Sequence, residues 1–386
     1  MNIPLSKATG AIYKHVAKPI LFKQKPDKVH ERMVRNGSRL QKYPLAMKAA
    51  RAGFAFKDEA ALGQTIKGIH FSNPVGLSAG LDKNFELVTV MKAVGFGFME
   101  GGSVTFHECH GNPRPWFHRL PINKSLVVHV GLANKGVKHI INTIQDYSPT
   151  QYTDFPLNIS VAKTNSPEAC DEQDAIDDYI GSLKALKKAD VGTMYTLNIS
   201  CPNTYGGEPF TTPDRLDHLL TAVDALKLTK PVFIKMPIDL PWPAFEKLVQ
   251  IADKHKVTGL TIGNLAKHRT PDIKAELPAH IEGNLSGKPT QELSNNLIKL
   301  TRESFGKRFV IIGVGGIFTA EDAYTKIKQG ADLVELITGM IFQGPQLIGA
   351  INRELVTLLE KDGYTNIREA VSAHCDTFTA TKTKRA

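Results

Sequence analysis

The chain has 386 residues, of which 42% are hydrophobic and 22% charged, a composition typical of a globular protein large enough for one α/β domain. No apolar run approaches the roughly 20 residues that cross a bilayer, and residues 1–7 lack the pattern of a secretion signal. The four cysteines show no Cys-x-x-Cys spacing, which argues against a disulfide framework and favours a reducing cytoplasm.

The net charge of +10 is concentrated near the amino terminus. Residues 1–57 contain 13 Lys and Arg but only two acidic residues, Asp27 and Glu31, and the rest of the chain is close to neutral. A uniformly basic protein would indicate nucleic-acid binding. A basic segment on a neutral body indicates a local surface task instead, so no nucleic-acid partner is expected.

From about residue 70, short apolar runs alternate with longer amphipathic segments. The eight apolar runs are residues 73–79, 95–104, 156–162, 194–200, 231–236, 259–264, 309–315 and 332–339. Eight strands alternating with helices predict a (β/α)8 TIM barrel with a small amino-terminal helical extension. An open doubly wound sheet is less favoured, because the first strand–helix turn, residues 78–83, does not fit G-x-G-x-x-G.

This alternation also predicts the domain organisation. We expect a basic helical segment at residues 1–66, the barrel at 67–365 and a carboxy-terminal tail at 366–386. Residues 105–151, between the second and third strands, are longer than a usual connection and contain several prolines, among them Pro113, Pro115 and Pro121. They predict a lid or ledge over the carboxyl-end face of the barrel, where barrel enzymes have their active sites.

Polar residues follow or interrupt the apolar strands at that same face. The segment Asn198-Ile199-Ser200-Cys201-Pro202-Asn203-Thr204 presents amides and a thiol directly after a strand. Lys235 lies inside the apolar run 232–236, where an ammonium needs a buried anion as partner. Glycines after the seventh and eighth strands are typical of a phosphate site. A phosphate-bearing cofactor with an electron-rich ring, such as FMN, would account for both features.

A metal site is not expected. The one local candidate, residues 107–110 (His-Glu-Cys-His), has a spacing that is weak for metal ligation in a loop.

Several motifs occur together in the same order as in a known family. They are residues 79–83, 111–115, 198–204, 285–289 and 311–317, followed by Thr338-Gly339 and Gly344-Pro345. Together they resemble the dihydroorotate dehydrogenase family over about residues 10–355. The amino-terminal segment resembles its membrane-associated, quinone-using (class 2) branch.

The resemblance implies an enzyme of pyrimidine (UMP) synthesis that oxidises (S)-dihydroorotate to orotate with FMN and reduces a membrane quinone. Cys201 occupies the position of the catalytic base, which would remove the C5 proton while a hydride passes from C6 to flavin N5. The substrate would be held by Lys83, Asn198, Asn203 and Asn264. The flavin would be lined by Ala79, Gly80, Ser103, Asn158, Asn198, Lys235, Gly263, Gly287, Gly316 and Thr338.

The resemblance also gives the basic segment a role. Six residues can form an apolar face among lysines: Ile12, Tyr13, Val16, Ile20, Leu21 and Phe22. Such a helix can lie in a membrane interface and admit a quinone, which implies peripheral attachment through residues 1–57 at the cytoplasmic face of a membrane. The alternative is a solvated basic helix packed on the barrel.

Three positions depart from the family pattern. The membrane-associated branch has serine where this chain has Cys201, as in the soluble branch. Val128 stands where a substrate-binding asparagine is expected, and Leu265 replaces the threonine of an Asn-Thr pair. Asn134 and His129 are candidates to compensate for the lost hydrogen bonds.

These departures keep other functions open. The first alternative is an FMN-dependent oxidoreductase of the same fold that acts on another pyrimidine-like or enone substrate. A tRNA-modifying flavin reductase is less favoured, because the positive charge precedes the barrel and no RNA-binding module follows. A non-catalytic flavin-binding scaffold is disfavoured by Cys201, Lys235 and Lys83.

Overall fold

The computed structural model describes residues 3–375, with the backbone alone described for residues 3–7, 149 and 150. The tail predicted at residues 366–386 therefore lies within the description only as far as Cys375. The boundaries predicted at residues 66 and 365 stay predictions.

Eight parallel strands form a closed barrel. They are β1 Val75–Leu77, β2 Phe98–Val104, β3 Leu157–Val161, β4 Met194–Asn198, β5 Val232–Met236, β6 Gly259–Ile262, β7 Val310–Val314 and β8 Leu333–Leu336. Each strand pairs with its neighbour in the chain, and β8 pairs with β1 to close the cylinder. The (β/α)8 barrel predicted from the alternation of apolar runs is confirmed.

Helices surround the barrel because each has one apolar face. In the helix Glu172–Ala189, buried Ile176, Tyr179, Leu183 and Leu186 recur at helical spacing. The other long helices are Val88–Val94, Gly136–Gln145, Pro213–Ala225, Trp242–Asp253, Gln291–Phe305, Ala320–Lys328 and Leu347–Asp362. Shorter helices are Pro149–Tyr152, Pro271–Glu276, Thr338–Gln343 and Ile367–Ala370, with 3₁₀ turns at Pro167–Ala169 and Lys288–Thr290.

The amino-end mouth of the barrel is closed by apolar side chains. A two-stranded antiparallel sheet, Gln64–Ile66 with Ile69–Phe71, covers it. The Phe71 ring meets the Phe98 ring edge to face at 5.4 Å, and the Phe98 ring occupies the space beside Gly76 that a Cβ atom would need. Water is thus excluded from this end, and the polar residues of the strands collect at the other.

The predicted ledge covers the carboxyl-end face. Within it, Phe117–Leu120 and Ser125–Val128 form an antiparallel hairpin, to which Asn284–Leu285 adds a third strand. The helix Gly136–Gln145 returns the chain to the barrel.

The amino-terminal segment folds against this ledge. The helix Ile3–Ile12 continues through a π-helical turn, Tyr13–Ala17, into Lys18–Phe22. The helices Pro26–Leu40, Pro44–Phe54 and Glu59–Leu62 follow before the barrel begins. Among the described residues, no helix is long and apolar enough to cross a membrane.

The six residues of the predicted apolar face do not all point the same way. The Tyr13 hydroxyl donates to Ile341 O at 2.6 Å, and the Phe22 ring packs on Phe342 at 5.3 Å. Ile12, Val16 and Ile20 are instead 60%, 55% and 57% exposed. One side of the helix therefore docks on the barrel and the other presents an apolar stripe to the surroundings.

We predict that the stability of the fold depends on the barrel core and not on the amino-terminal surface. Replacing Leu260, which is fully buried in β6, by alanine should lower the free energy of unfolding by about 2–5 kcal/mol. The matched control Leu45→Ala, at a side chain that is 82% exposed, should change it by less than about 0.5 kcal/mol. Denaturant unfolding followed by circular dichroism measures both, and equal losses would contradict this assignment of the core.

Candidate active site

A cavity of about 710 Å³ opens at the carboxyl-end face of the barrel. This volume lies within the roughly 300–1,000 Å³ that is common for small-molecule sites. Its floor is the ends of the barrel strands, one wall is the hairpin Phe117–Val128, and the other wall is the helices Pro26–Leu40 and Pro44–Phe54. A polar floor and an apolar side wall therefore belong to one continuous space.

The glycines after β7 form a narrow turn at one end of the cavity. Gly315 and Gly316 have φ angles of +111° and +72°, which disfavour any residue with a side chain. A Cβ atom at Gly316 would lie 2.3 Å from Gln291 Cβ, and one at Gly315 would lie 2.4 Å from Thr290 Oγ1. Nearby, the Thr338 and Ser286 hydroxyls are 2.9 Å apart. Bare backbone and hydroxyl groups at a strand–helix turn suit a phosphate.

Lys235 lies on the floor and is paired with a buried carboxylate. Its Nζ donates to Glu100 Oε1 at 3.1 Å and contacts Ser78 Oγ at 3.5 Å. The Glu100 side chain is fully buried and also accepts from Asn158 Nδ2 at 3.2 Å. The ammonium is thereby fixed at the cavity floor, where it can meet developing negative charge on a bound ring.

Three asparagine side chains converge beside it, from the end of β4 and from the loops after β4 and β6. Asn198 Nδ2 donates to Ser103 Oγ at 2.8 Å, Asn203 Nδ2 donates to Val128 O at 3.0 Å, and Asn264 Nδ2 donates to Ser200 O at 2.6 Å. These bonds orient the amides and leave part of their hydrogen-bonding capacity for a ligand.

Cys201 follows β4 at the same edge. Burial raises the pKa of its thiol to about 11, although the Asn203 N–H and the Lys163 and Lys235 charges oppose this shift. A thiol of this kind is protonated at neutral pH and becomes a strong proton acceptor once it ionises.

Lys83 lies where the barrel meets the amino-terminal helices. Its Nζ donates to Gly80 O at 2.7 Å and is 3.2 Å from His30 Nε2. Burial lowers the pKa of Lys83 to about 8. Burial and the Lys83 charge lower the pKa of His30 to about 3, so His30 is neutral and can accept from the ammonium. A single cation without a carboxylate partner at hydrogen-bond distance, within the described residues, suits a ligand carboxylate.

All the predicted site residues except one line this cavity. Asn158 lies deeper in the barrel, where its Nδ2 also donates to Thr196 Oγ1 at 2.8 Å. It is fully buried and donates a hydrogen bond to Glu100 instead of lining the cavity. The individual cofactor and substrate roles assigned from the resemblance stay predictions.

The two substrate-loop departures, Val128 and Leu265, also line the cavity. The proposed compensating residues are occupied elsewhere. The Asn134 amide accepts from the Thr105 N–H and donates to the Thr105 hydroxyl, and His129 pairs with Glu282 at 3.5 Å. A further asparagine, Asn284, lies behind Asn203, and its Nδ2 donates to Asn203 Oδ1 at 2.8 Å. No sequence signal marked Asn284, because its position depends on pairing with a distant hairpin.

Glu335 is another residue that the sequence analysis missed. It lines the cavity from β8 and is fully buried. A charged residue inside the apolar run Leu333-Val334-Glu335-Leu336 is the same signal that identified Lys235. No group of three or more His, Cys, Asp and Glu able to hold a metal occurs in the part of the chain that the structure describes.

Comparison with known proteins agrees with this geometry. The sequence profile of the family described as dihydroorotate dehydrogenase matches residues 61–359, which is most of the chain. The chain belongs to the dihydroorotate dehydrogenase family. It is therefore an oxidoreductase, and the family is flavin-dependent.

Two relatives and one solved structure illustrate the similarity. A Nostoc punctiforme protein named dihydroorotate dehydrogenase (quinone) is 32% identical over 93% of this chain and 97% of its own length. A protein of the same name from Crocosphaera subtropica is 36% identical over 82% of this chain and 84% of its own. The crystal structure of the Eimeria tenella enzyme in complex with ferulenol superposes with a TM-score of 0.76 at 26% identity, covering 86% of this chain and 94% of that one.

We predict that Gly316→Ala lowers flavin affinity about tenfold or more, because the added methyl group strains the turn and displaces Gln291. Flavin fluorescence released from the purified protein measures the bound fraction. The matched control is Gly363→Ala, where φ is +80° but an added Cβ meets no atom within 4 Å. Equal flavin loss in both variants would show that the turn after β7 has no special role.

Proposed function

We propose that this chain oxidises (S)-dihydroorotate to orotate with FMN, in pyrimidine synthesis, and passes the electrons to a membrane quinone. The observation that carries this proposal is that one cavity contains three surfaces. They are Lys235 with the glycine turn, Cys201 with the asparagines, and the apolar wall of the amino-terminal helices. A flavin enzyme with a quinone acceptor needs a site for the flavin, a site for the substrate and an apolar path for the quinone around one ring.

The residues present fit FMN. The turn at Gly315 and Gly316 would take the phosphate, and Lys235 would lie beside the edge of the ring that becomes negative on reduction. When bound, FMN supplies the two-electron chemistry that amino-acid side chains cannot. The protein supplies orientation, charge and exclusion of water.

The substrate half of the site would use Lys83 and Cys201. The Lys83 ammonium would bind the substrate carboxylate, and the carboxylate would stabilise the charged form that burial disfavours. The Cys201 thiolate would accept the C5 proton while the asparagines hold the ring in place. The thiol ionises mainly at alkaline pH, so its small thiolate fraction should limit the rate at neutral pH.

The quinone would approach along the apolar wall. Val29, Met33, Val34 and Leu40 line the cavity from the helix Pro26–Leu40, and Met33 and Leu40 are exposed at its outer side. The Nostoc punctiforme relative, which is named as a quinone enzyme, matches 93% of this chain. The exposed Ile12, Val16 and Ile20 with the basic residues of 1–57 support peripheral attachment at the cytoplasmic face of a membrane.

The second candidate is the same chemistry on a different pyrimidine-like or enone substrate. Val128 and Leu265 favour it, because each removes a side-chain hydrogen bond that the family pattern supplies, at about 1–3 kcal/mol apiece. Titrating the bound flavin spectrum with orotate separates the two, since a spectral shift that saturates supports orotate and no shift supports another ligand.

The decisive experiment is anaerobic mixing of the flavin-loaded protein with dihydroorotate. We expect rapid bleaching of the oxidised flavin absorbance, which is lost in Cys201→Ala. The control is reduction by dithionite, which should bleach both proteins. If dithionite bleaches the flavin and dihydroorotate does not, the substrate assignment is wrong while the flavin site stands.

The pKa values of the two substrate residues predict the pH dependence of kcat/KM, which reports the free enzyme. Activity requires the Cys201 thiolate and the Lys83 ammonium, whose pKa values are about 11 and about 8. Below pH 8 the thiolate fraction should raise kcat/KM about tenfold per pH unit. Between pH 8 and 11 the gain of thiolate offsets the loss of ammonium and gives a plateau, followed by a fall.

Steady-state assays with a soluble quinone across this range measure the profile. Lys83→Met should have a lower kcat/KM that continues to rise to about pH 11, because the offsetting loss of ammonium is gone. A wild-type profile that is flat below pH 8 would rule out Cys201 as a base with this pKa.

A further inference from the structure

The interior of this barrel is polar at the level of the cavity floor. Inward-facing residues of parallel barrels are usually bulky and apolar. Here fully buried Glu100, Asn158, Thr196 and Glu335 meet there, next to Lys235. All of these except Glu335 form a connected network. Lys235 and Asn158 donate to Glu100, and Asn158 also donates to Thr196.

Glu335 is not part of that network. Among residues 3–375, no donor reaches either of its carboxyl oxygens in hydrogen-bond geometry. The Ser78 hydroxyl lies near it and accepts from Lys235 Nζ, so within the described chain its own O–H is the one neighbouring donor left for Glu335. A buried acid that lacks a firm partner and lines the ligand cavity points to a function in that cavity.

The charges around Glu335 determine its protonation state. The charged groups that face it are Glu100 from β2 and Lys235 from β5. The Glu100 carboxylate already neutralises the one ammonium at 3.1 Å. An ionised Glu335 would add a second negative charge, without a second cation to balance it, at a side chain that is fully buried. Burial and the Glu100 charge accordingly raise the pKa of Glu335 well above its usual value, against the smaller opposing effects of Lys235 and Ser78.

We propose that Glu335 is a proton-holding positioning residue of the flavin site, neutral at rest, which keeps the charge of Lys235 balanced by Glu100 alone. This inference rests on the proposed function, because the cavity must hold a flavin for the balance to affect a reduction. As a neutral acid, Glu335 can also donate a hydrogen bond into the cavity, which a carboxylate cannot do.

The proposal has a consequence for the proton balance of flavin reduction. At neutral pH, a bound flavin would take up two electrons and one proton from the substrate, and Glu335 would keep the proton it already has. At alkaline pH, Glu335 is ionised in the oxidised protein. The new negative charge on the ring then raises the affinity of Glu335 for a proton, so reduction takes up a second proton at its carboxylate.

The test is the midpoint potential of the bound flavin as a function of pH, measured with reference dyes on the holoenzyme. We expect the midpoint potential of the wild-type protein to follow one proton per two electrons at neutral pH and two protons per two electrons at alkaline pH. Glu335→Gln, which is neutral at every pH, should match the wild-type potential at neutral pH and keep the one-proton slope throughout. If its neutral-pH potential is instead higher than that of the wild type, Glu335 is ionised at rest and the proposal fails.

Glu100→Gln is the matched control, because it removes a carboxylate that we infer to be ionised. It should raise the flavin potential at neutral pH, since Lys235 would then face the ring without its counter-charge. Equal effects of the two glutamine variants at neutral pH would contradict the assignment of the single proton to Glu335.

Infrared difference spectroscopy gives a readout that does not depend on bound flavin. The wild-type protein should show the carbonyl band of a protonated, buried carboxylic acid at neutral pH, and this band should disappear on alkaline titration. Glu335→Gln should lack the band and Glu100→Gln should keep it. Absence of the band from the wild type would overturn the proposal. A protein that shows the band but binds no flavin would instead overturn the proposed function.

Discussion

The whole site depends on one buried ion pair, Lys235 with Glu100, inside the barrel. An ammonium in such a place is tolerated only when a counter-charge and further hydrogen bonds hold it. Glu100 supplies the charge, and Asn158 holds Glu100 in turn. The apolar closure by Phe71 and Phe98 at the opposite mouth keeps water from weakening the pair. The division of the barrel into an apolar lower half and a polar upper half follows from this requirement.

The amino-terminal segment belongs to the site. Its helices wall the cavity and bury Lys83, whose Nζ meets the neutral ring of His30. Burial favours the neutral form of both Lys83 and Cys201, because it lowers the pKa of the lysine and raises the pKa of the thiol. A carboxylate bound beside Lys83 would restore its charge.

Much of this arrangement could be predicted from the sequence, for physical reasons that also explain the omissions. The alternation of apolar runs determines a barrel, and a charged residue within one run identified Lys235. The same rule identifies Glu335, but only the closed barrel shows that both face one interior. The predicted face of Ile12 to Phe22 is divided because docking on Phe342 and the π-helical turn Tyr13–Ala17 rotate its residues apart. Asn284 depends on strand pairing between distant segments, which local sequence does not encode.

The remaining hydrogen-bonding capacity of the asparagines bears on which ring the cavity accepts. Asn203 uses one N–H on Val128 O and one lone pair on Asn284, so one donor and one acceptor are left. Asn264 directs its N–H groups at Ser200 and Asn198, and its oxygen accepts from the Leu265 N–H, which leaves one lone pair as an acceptor. A ring with both N–H and C=O groups, as in dihydroorotate, satisfies this mixed set. An enone without N–H groups would leave buried acceptors unpaired, at about 1–3 kcal/mol each, so the amides favour a pyrimidine even with Val128 and Leu265 in the wall.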